Sequence, residues 1–326
     1  MVKFLIIRFS SIGDIVLTTP VLRCIKSQVE DAEIHYLTKK AFENILSPNP
    51  YIDKLYLLDG SLNELIPQLK SADFDYIIDL HHNLRSSIVK HRVRAVSFSF
   101  YKANFEKWLM VNFKINRLPK VPIVDRYLDT VSLFDIKNDE NGLDFFIDQK
   151  DEVDVKLLPE SFQNGYVGFV IGAKHATKKM PKEKIVQIVK SAGLPVVLLG
   201  GKEDLKEAMF IQEQAGENCF NACGKFNLGQ SASLVRQARI IITHDTGLMH
   251  IAAAFRKKII SIWGNTIPEF GMYPYLPDTQ SKFFEVKGLK CRPCSKIGYQ
   301  KCPKGHFDCM NKIDVKEIAN LAKTLF

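Results

Sequence analysis

The sequence predicts an α/β protein of two doubly wound, Rossmann-like halves, each built on a parallel sheet. Three observations carry this expectation. Short apolar runs alternate with longer amphipathic segments almost from end to end, which is the pattern of βαβ units. The alternation breaks once, in the polar stretch 135–165, and then restarts. The length of 326 residues suits two domains of about 100–200 residues each. The expected domains are 1–155 and 156–326, with a cleft between them.

In the first half, residues 3–8 (KFLIIR) read as a buried strand. Residues 13–29 read as a helix kinked at Pro20. Strands follow at 33–37, 54–58, 76–80 and 92–98, with helices near 41–46, 61–71 and 84–90. In the second half, strands are expected at 166–171, 195–199, 240–243 and 258–262. Helices are expected at 182–191, 205–215, 229–237 and 246–255, and a last one near 314–326. No internal repeat or low-complexity tract is present.

Composition narrows the class. Hydrophobic residues make up 46% and charged residues 25%, which excludes a largely disordered chain. Lys plus Arg number 45 and Asp plus Glu 36, a net charge of +9. That excess suits an anionic partner: nucleotide phosphates, an acidic lipid surface or nucleic acid. Nucleic acid fits least, because aromatic and basic residues do not interleave along one strand. No apolar run reaches the roughly 18 residues of a membrane span, and the N-terminal apolar run is too short for a signal-peptide core. The expected location is cytoplasmic. Seven cysteines in such a chain are not read as a disulfide framework.

Five segments could carry chemistry. Arg8-Phe-Ser-Ser-Ile-Gly-Asp14 follows the first strand directly and holds one glycine, too few for a dinucleotide fingerprint. Gly13 permits a tight turn. Asp14 reads either as the second half of a capping box with Ser11 or as a catalytic carboxylate at a helix start. Gly172-Ala-Lys-His-Ala-Thr-Lys178-Lys179-Met-Pro181 could hold a diphosphate or be a solvated basic loop. Gly200-Gly-Lys-Glu203-Asp204 offers acids to a ribose, or caps a helix. His244-Asp245-Thr246-Gly247-Leu-Met-His250 runs from a strand into a helix start, an anion site by its free N–H groups. Asp245 is equally a helix cap, and no metal spacing emerges from His244, Asp245 and His250. Last, Cys291, Cys294, Cys302 and Cys309 have the inventory of a zinc site, but the second pair is spaced x6. Reduced structural thiols are the preferred reading there.

Residues 101–120 (YKANFEKWLMVNFKINRLPK) are basic and hold Phe105, Trp108, Leu109 and Phe113. They read as a membrane-surface helix or as a core helix with a solvated basic face, and the spacing favours the core reading.

Together these motifs resemble glycosyltransferase family 9, the ADP-heptose:lipopolysaccharide heptosyltransferases, over nearly the whole chain. The most specific parts are Ser10-Ser-Ile-Gly-Asp14 followed by Thr18-Thr-Pro20, Asp245-Thr-Gly-Leu-Met-His250-Ile-Ala-Ala, and Trp263-Gly-Asn-Thr. The Cys segment is similar to that of one heptosyltransferase branch. The sequence departs from the family pattern at Lys179-Met180 and at His244.

The resemblance implies a GT-B fold with the C-terminal helix crossing back to the N-terminal domain. It implies an inverting, metal-independent transferase with no cofactor, moving heptose from ADP-heptose to an anionic, lipid-linked acceptor at the membrane surface. By the same resemblance Asp14 is the general base, with Ser11 and Gly13 beside it. Lys178 binds phosphate, with Lys179 adjacent. Thr246 and Gly247 meet the diphosphate, and Asp245 and His250 shape that site. Asp204, less closely Glu203, matches the ribose acid, and Phe226 contacts adenine. Two other readings stand beside this one: a family relative with another nucleotide sugar or acceptor, and a non-catalytic metal- or nucleic-acid-binding protein built on the Cys cluster.

Overall fold

The computed structural model describes all 326 residues, Met1–Phe326. They form two compact units, one of Met1–Lys102 with Val121–Phe146, the other of Ala103–Lys120 with Ile147–Phe326.

The first unit is a five-stranded parallel sheet. Its strands are β1 (Val2–Ile7), β2 (Ala32–Lys39), β3 (Lys54–Leu58), β4 (Tyr76–Asp79) and β5 (Val96–Ser99), in the order β3-β2-β1-β4-β5. Phe4, Leu5, Ile6 and Ile7 are all fully buried, as a central parallel strand covered on both faces requires. One face packs Leu5 and Ile7 with Leu37, Ile77 and Val89. The other sets Phe4 against Tyr76 and Phe134, with ring centroids 5.5 Å away in each case.

The helix expected over 13–29 is two helices, Ile12–Val16 and Thr19–Gln28. Pro20 lies in the first turn of the second, where a missing N–H leaves no bond unmade. The strand expected at 92–98 starts later. The helix Leu84–Val93 runs into it and ends on Arg94 in the left-handed region, φ 66°.

Arg23 ties the polar stretch back to this unit. Its Nε and Nη2 donate to Asp139 at 2.6 and 2.8 Å, Nη2 also donates to the Gly142 carbonyl at 2.8 Å, and Nη1 donates to Asp144. The Arg23 hydrogen bond holds the Asp139 carboxyl far below the usual carboxylate range, against the opposing effect of burial. Arg23→Met is expected to cost about 2–4 kcal/mol at pH 7, slightly under a fully buried pair because the carboxylates keep some water. A depressed carboxylate stabilises fully above its unfolded value of about 4 and loses that contribution as pH falls through the folded value. The gap between wild type and variant in urea unfolding therefore narrows below about pH 4.

The second unit is a six-stranded parallel sheet. Its strands are β6 (Val167–Val170), β7 (Val196–Leu199), β8 (Cys219–Asn221), β9 (Ile240–His244), β10 (Lys258–Trp263) and β11 (Lys282–Glu285), in the order β11-β10-β9-β6-β7-β8. β8 and β11 are the two edges and went unexpected in the sequence. Phe169, Leu198, Ile242 and Ile260 form the centre of the core.

Two expectations are corrected here. The C-terminal helix, Val315–Leu325, stays with the second unit. Its stripe of Ile318, Ala322 and Leu325 is buried in the same core as Ile185 and Ile188 of the helix Lys182–Ala192, so its apolar face is already used. The unit boundary also differs from 1–155 and 156–326. Residues 103–120 join the second unit because Met110, Val111 and Leu118 pack on Ile267 and Phe270. Residues 147–155 join it too, where the Val153 amide donates to Ser233 Oγ at 3.0 Å and Asn227 Nδ2 to Asp151 at 2.8 Å.

Candidate active site

In an open parallel sheet, ligands bind beyond the carboxyl ends of the strands, where the strand order reverses. In the first unit this point lies between β1 and β4, and the loops that follow them carry Arg8–Asp14 and Leu80–His82. Arg8 is buried at the junction. Its Nη2 pairs with Asp14 Oδ1 at 2.7 Å, and its Nη1 donates to the Tyr127 hydroxyl at 2.8 Å and to the Leu80 carbonyl. Asp14 Oδ2 accepts from the Ser11 hydroxyl at 2.6 Å and from the Ser11 amide at 3.1 Å. The capping reading and the catalytic reading therefore describe one carboxylate. The cap fixes its direction, and it remains partly exposed, with a side-chain accessibility of 23%. Gly13 is buried in the first turn.

His81 was not singled out in the sequence, yet it stands at the same reversal point. Its ring meets Phe9 edge-on at 5.3 Å. Its amide donates to Asp79 Oδ1 at 3.1 Å, and its carbonyl accepts from Lys102 Nζ at 3.0 Å. Burial, then the positive charges of Arg8 and Lys102, push its pKa down to about 4, so it is a neutral hydrogen-bonding group at pH 7. Nδ1 is buried with no protein partner. A histidine just past the end of a strand run was the signal available in the sequence.

In the second unit the order reverses between β6 and β9. The loop after β6 carries Lys178 and Lys179, adjacent in sequence but directed to different partners. Lys178 Nζ reaches Asp245 Oδ2 at 2.6 Å, and the Thr266 hydroxyl donates to the same oxygen at 2.9 Å. Lys179 Nζ reaches Asp204 Oδ1 at 2.5 Å. Lys178 therefore lies beside the start of the helix Gly247–Ala254, whose N-cap Thr246 makes no side-chain cap bond. Thr246 Oγ1 is buried without a partner. Uncapped first-turn N–H groups, an unused hydroxyl and an ammonium form an anion cradle. Asn265, in the loop after β10, is 1% exposed with both ends of its amide unpaired. It belongs to the Trp263-Gly-Asn-Thr motif, whose sequence alone assigns this amide no role.

The nucleotide-side residues divide. Asp204 is 1% exposed. Lys179 and the Gly201 amide, the latter at 2.9 Å, occupy its two oxygens. It is packed so closely under Gly172 that a Cβ there would stand 2.3 Å from Oδ2. Asp204 is thus placed in this structure as the internal counter-ion of Lys179. Glu203 beside it is exposed, and Phe226 is half-buried in the loop after β8. His250 is buried in the helix after β9. His244 is buried, which pushes its pKa down to about 3, and its Nε2 accepts the Met180 amide at 3.0 Å. That nitrogen is not open to a metal.

The Cys segment braces the cradle. Arg292, inside Cys291-Arg-Pro-Cys294, donates to the Gly264 and Thr266 carbonyls at 2.6 and 2.8 Å and pairs with Glu285 at 2.6 Å. The Tyr299 amide donates to Thr177 Oγ1 at 2.8 Å, and the Thr177 amide donates back to the Tyr299 carbonyl at 3.0 Å. Both loops around Lys178 are held this way. Cys291 Sγ lies 3.8 Å from His306 Nε2, but no three His, Cys, Asp or Glu side chains converge as a metal-holding group.

The family model of glycosyltransferase family 9 (heptosyltransferase) matches residues 62–300. Lipopolysaccharide heptosyltransferase 1 of Campylobacter coli is 27% identical, over 99% of each chain. A glycosyl transferase family 9 structure from Veillonella parvula superposes with a TM-score of 0.75 at 22% identity, covering 99% of this chain and 96% of that one. The E. coli ADP-heptose lps heptosyltransferase II does so with a TM-score of 0.75 at 19% identity, covering 99% and 98%.

Proposed function

Because the chain belongs to glycosyltransferase family 9, we propose that it moves a heptose from ADP-heptose to the inner core of a lipopolysaccharide precursor, inverting the anomeric centre. The observation that carries this reading is the cradle of Lys178, Thr246 and the uncapped helix start after β9. It is suited to the diphosphate of a sugar nucleotide.

Asp14 takes the proton of the acceptor hydroxyl as that oxygen bonds to the anomeric carbon. The bond from that carbon to the diphosphate breaks, and ADP leaves. The transition state is oxocarbenium-like, and negative charge grows on the departing diphosphate. Lys178 exchanges Asp245 for phosphate, and the Thr246–Gly247 amides stabilise the same charge, so these groups supply what a metal ion would. Arg8 and Ser11 orient the Asp14 carboxylate. His81, neutral beside it, hydrogen-bonds the acceptor sugar. Glu203 meets the ribose hydroxyls, Phe226 stacks on adenine, and Asp204 holds Lys179 in place. The acceptor is an anionic, lipid-linked precursor, met at the cytoplasmic face of the membrane.

Calorimetric titration of ADP, UDP and GDP with EDTA present tests the donor. ADP is expected to bind the most tightly, and Glu203→Ala to weaken it. Preference for UDP or GDP would overturn the donor, and absence of binding by all three would overturn the nucleotide-sugar site.

A further inference from the structure

The segment 103–120 contradicts the core-helix reading. No residue of its helix, Asn104–Phe113, is buried. The helix is apolar on two opposite faces. Met110 and Val111, with Leu118 beyond the helix end, lie against Ile267 and Phe270. Lys114 Nζ fixes that end by donating to the Val111 and Pro293 carbonyls at 2.6 and 2.7 Å. The other face carries Phe105, Trp108 and Phe113, which are 62, 51 and 59% exposed. Their rings form one cluster: Phe105 stacks on Trp108 at 6.1 Å, and Trp108 meets Phe113 edge-on at 5.2 Å. Ile115 extends it.

A preassembled aromatic patch on the surface marks an interaction site rather than ordinary scattered exposure. The charge around it indicates the partner. Residues 103–120 contain Glu106 against Lys107, Lys114, Arg117 and Lys120, within a chain of net charge +9. Arg117 and Lys120 are exposed. A cluster of exposed aromatic rings followed within a few residues by exposed cations matches the boundary between acyl chains and anionic headgroups. No helix of the chain is long and apolar enough to cross a membrane, so contact of this kind lies in the plane of the surface.

We propose that Phe105, Trp108, Phe113 and Ile115, with Arg117 and Lys120, dock the protein onto an anionic phospholipid bilayer. This deepens the lipid-linked acceptor reading and rests on it for its purpose, while the docking itself is measured apart from transfer.

The chain holds two tryptophans, Trp108 and Trp263, and Trp263 is fully buried. A change in tryptophan emission on adding lipid therefore reports Trp108. Full-length protein is titrated with vesicles of phosphatidylethanolamine and phosphatidylglycerol, and with phosphatidylcholine alone. A blue shift and co-sedimentation with the anionic vesicles are expected. Phe105→Ser with Phe113→Ser is expected to abolish both, and Arg117→Glu with Lys120→Glu to weaken binding at least about tenfold. ADP affinity stays unchanged in both variants, which shows that they fold. An emission that does not move with anionic lipid would overturn the proposal. So would equal binding to phosphatidylcholine, or a lipid-independent dimer that dissociates in the Phe variants. Vesicle binding by a protein that binds no nucleotide would retain this surface and overturn the transferase site instead.

Discussion

Asp14→Asn is expected to lower turnover by roughly 10²–10⁴-fold, the usual contribution of a general base. The substitution keeps size and hydrogen bonding but removes the site that takes the acceptor's proton. The Ser11 amide and hydroxyl still have an oxygen to meet, so the helix start survives. The Arg8 guanidinium loses its counter-charge at 2.7 Å, and some loss of stability accompanies the kinetic effect. The readings separate in the measurement. A purely structural Asp14 would lower the melting temperature and leave kcat of the remaining folded protein near wild type. A base leaves donor affinity intact and lowers kcat. In the same assay His81→Ala is expected to act mainly on KM for the acceptor, because burial and the positive charges of Arg8 and Lys102 push its pKa down to about 4 and leave it a weak base. A loss in kcat as large as that of Asp14→Asn would reassign the base to His81.

Lys178→Ala is expected to reduce kcat/KM by about 10²–10³-fold, the range for removing one group that stabilises developing negative charge. It should also weaken ADP binding. The adjacent substitution gives the contrast. Lys179→Ala leaves the Asp204 carboxylate, 1% exposed, with the Gly201 amide as its remaining donor. Its main effect is a lower melting temperature, with a smaller loss in ADP affinity. Initial rates, ADP titration and thermal melts on the two variants check this. If Lys179→Ala produced the larger kinetic loss while Lys178→Ala melted early, the roles of the two lysines would be exchanged.

These two lysines also show where sequence reading stops. Their adjacency identifies a basic loop after a strand, but the short turn Ala176–Lys178 sends their side chains to Asp245 and Asp204, and only packing decides which goes where. Asp204 was legible as an acid after two glycines. Its burial under Gly172 depends on a close approach between two loops distant in sequence. The central strands were legible because parallel strands covered on both faces are continuous apolar runs. β8 and β11 were not, being short edge strands, and β11 carries exposed Lys282 and Phe283. The helix Asn104–Phe113 was legible as a helix. Its attachment to the second unit, through Met110 and Val111 on Ile267 and Phe270, has no local signal, because the contact joins residues far apart in the chain. Asn265 was legible as part of Trp263-Gly-Asn-Thr but not as a buried, unpaired amide, and His81 belongs to a loop whose significance comes from strand order, which the sequence does not state.

Glycosyl transfer by this pair of sites is open to direct measurement. The most direct measurement is incubation of the protein with ADP-heptose and a lipid A-linked acceptor precursor in EDTA, with product mass, released ADP and anomeric configuration read together. Addition of one heptose with inverted configuration and an equal amount of ADP is the predicted result. Release of ADP without a glycosylated acceptor, or a product of retained configuration, would contradict the mechanism built on Asp14 and Lys178.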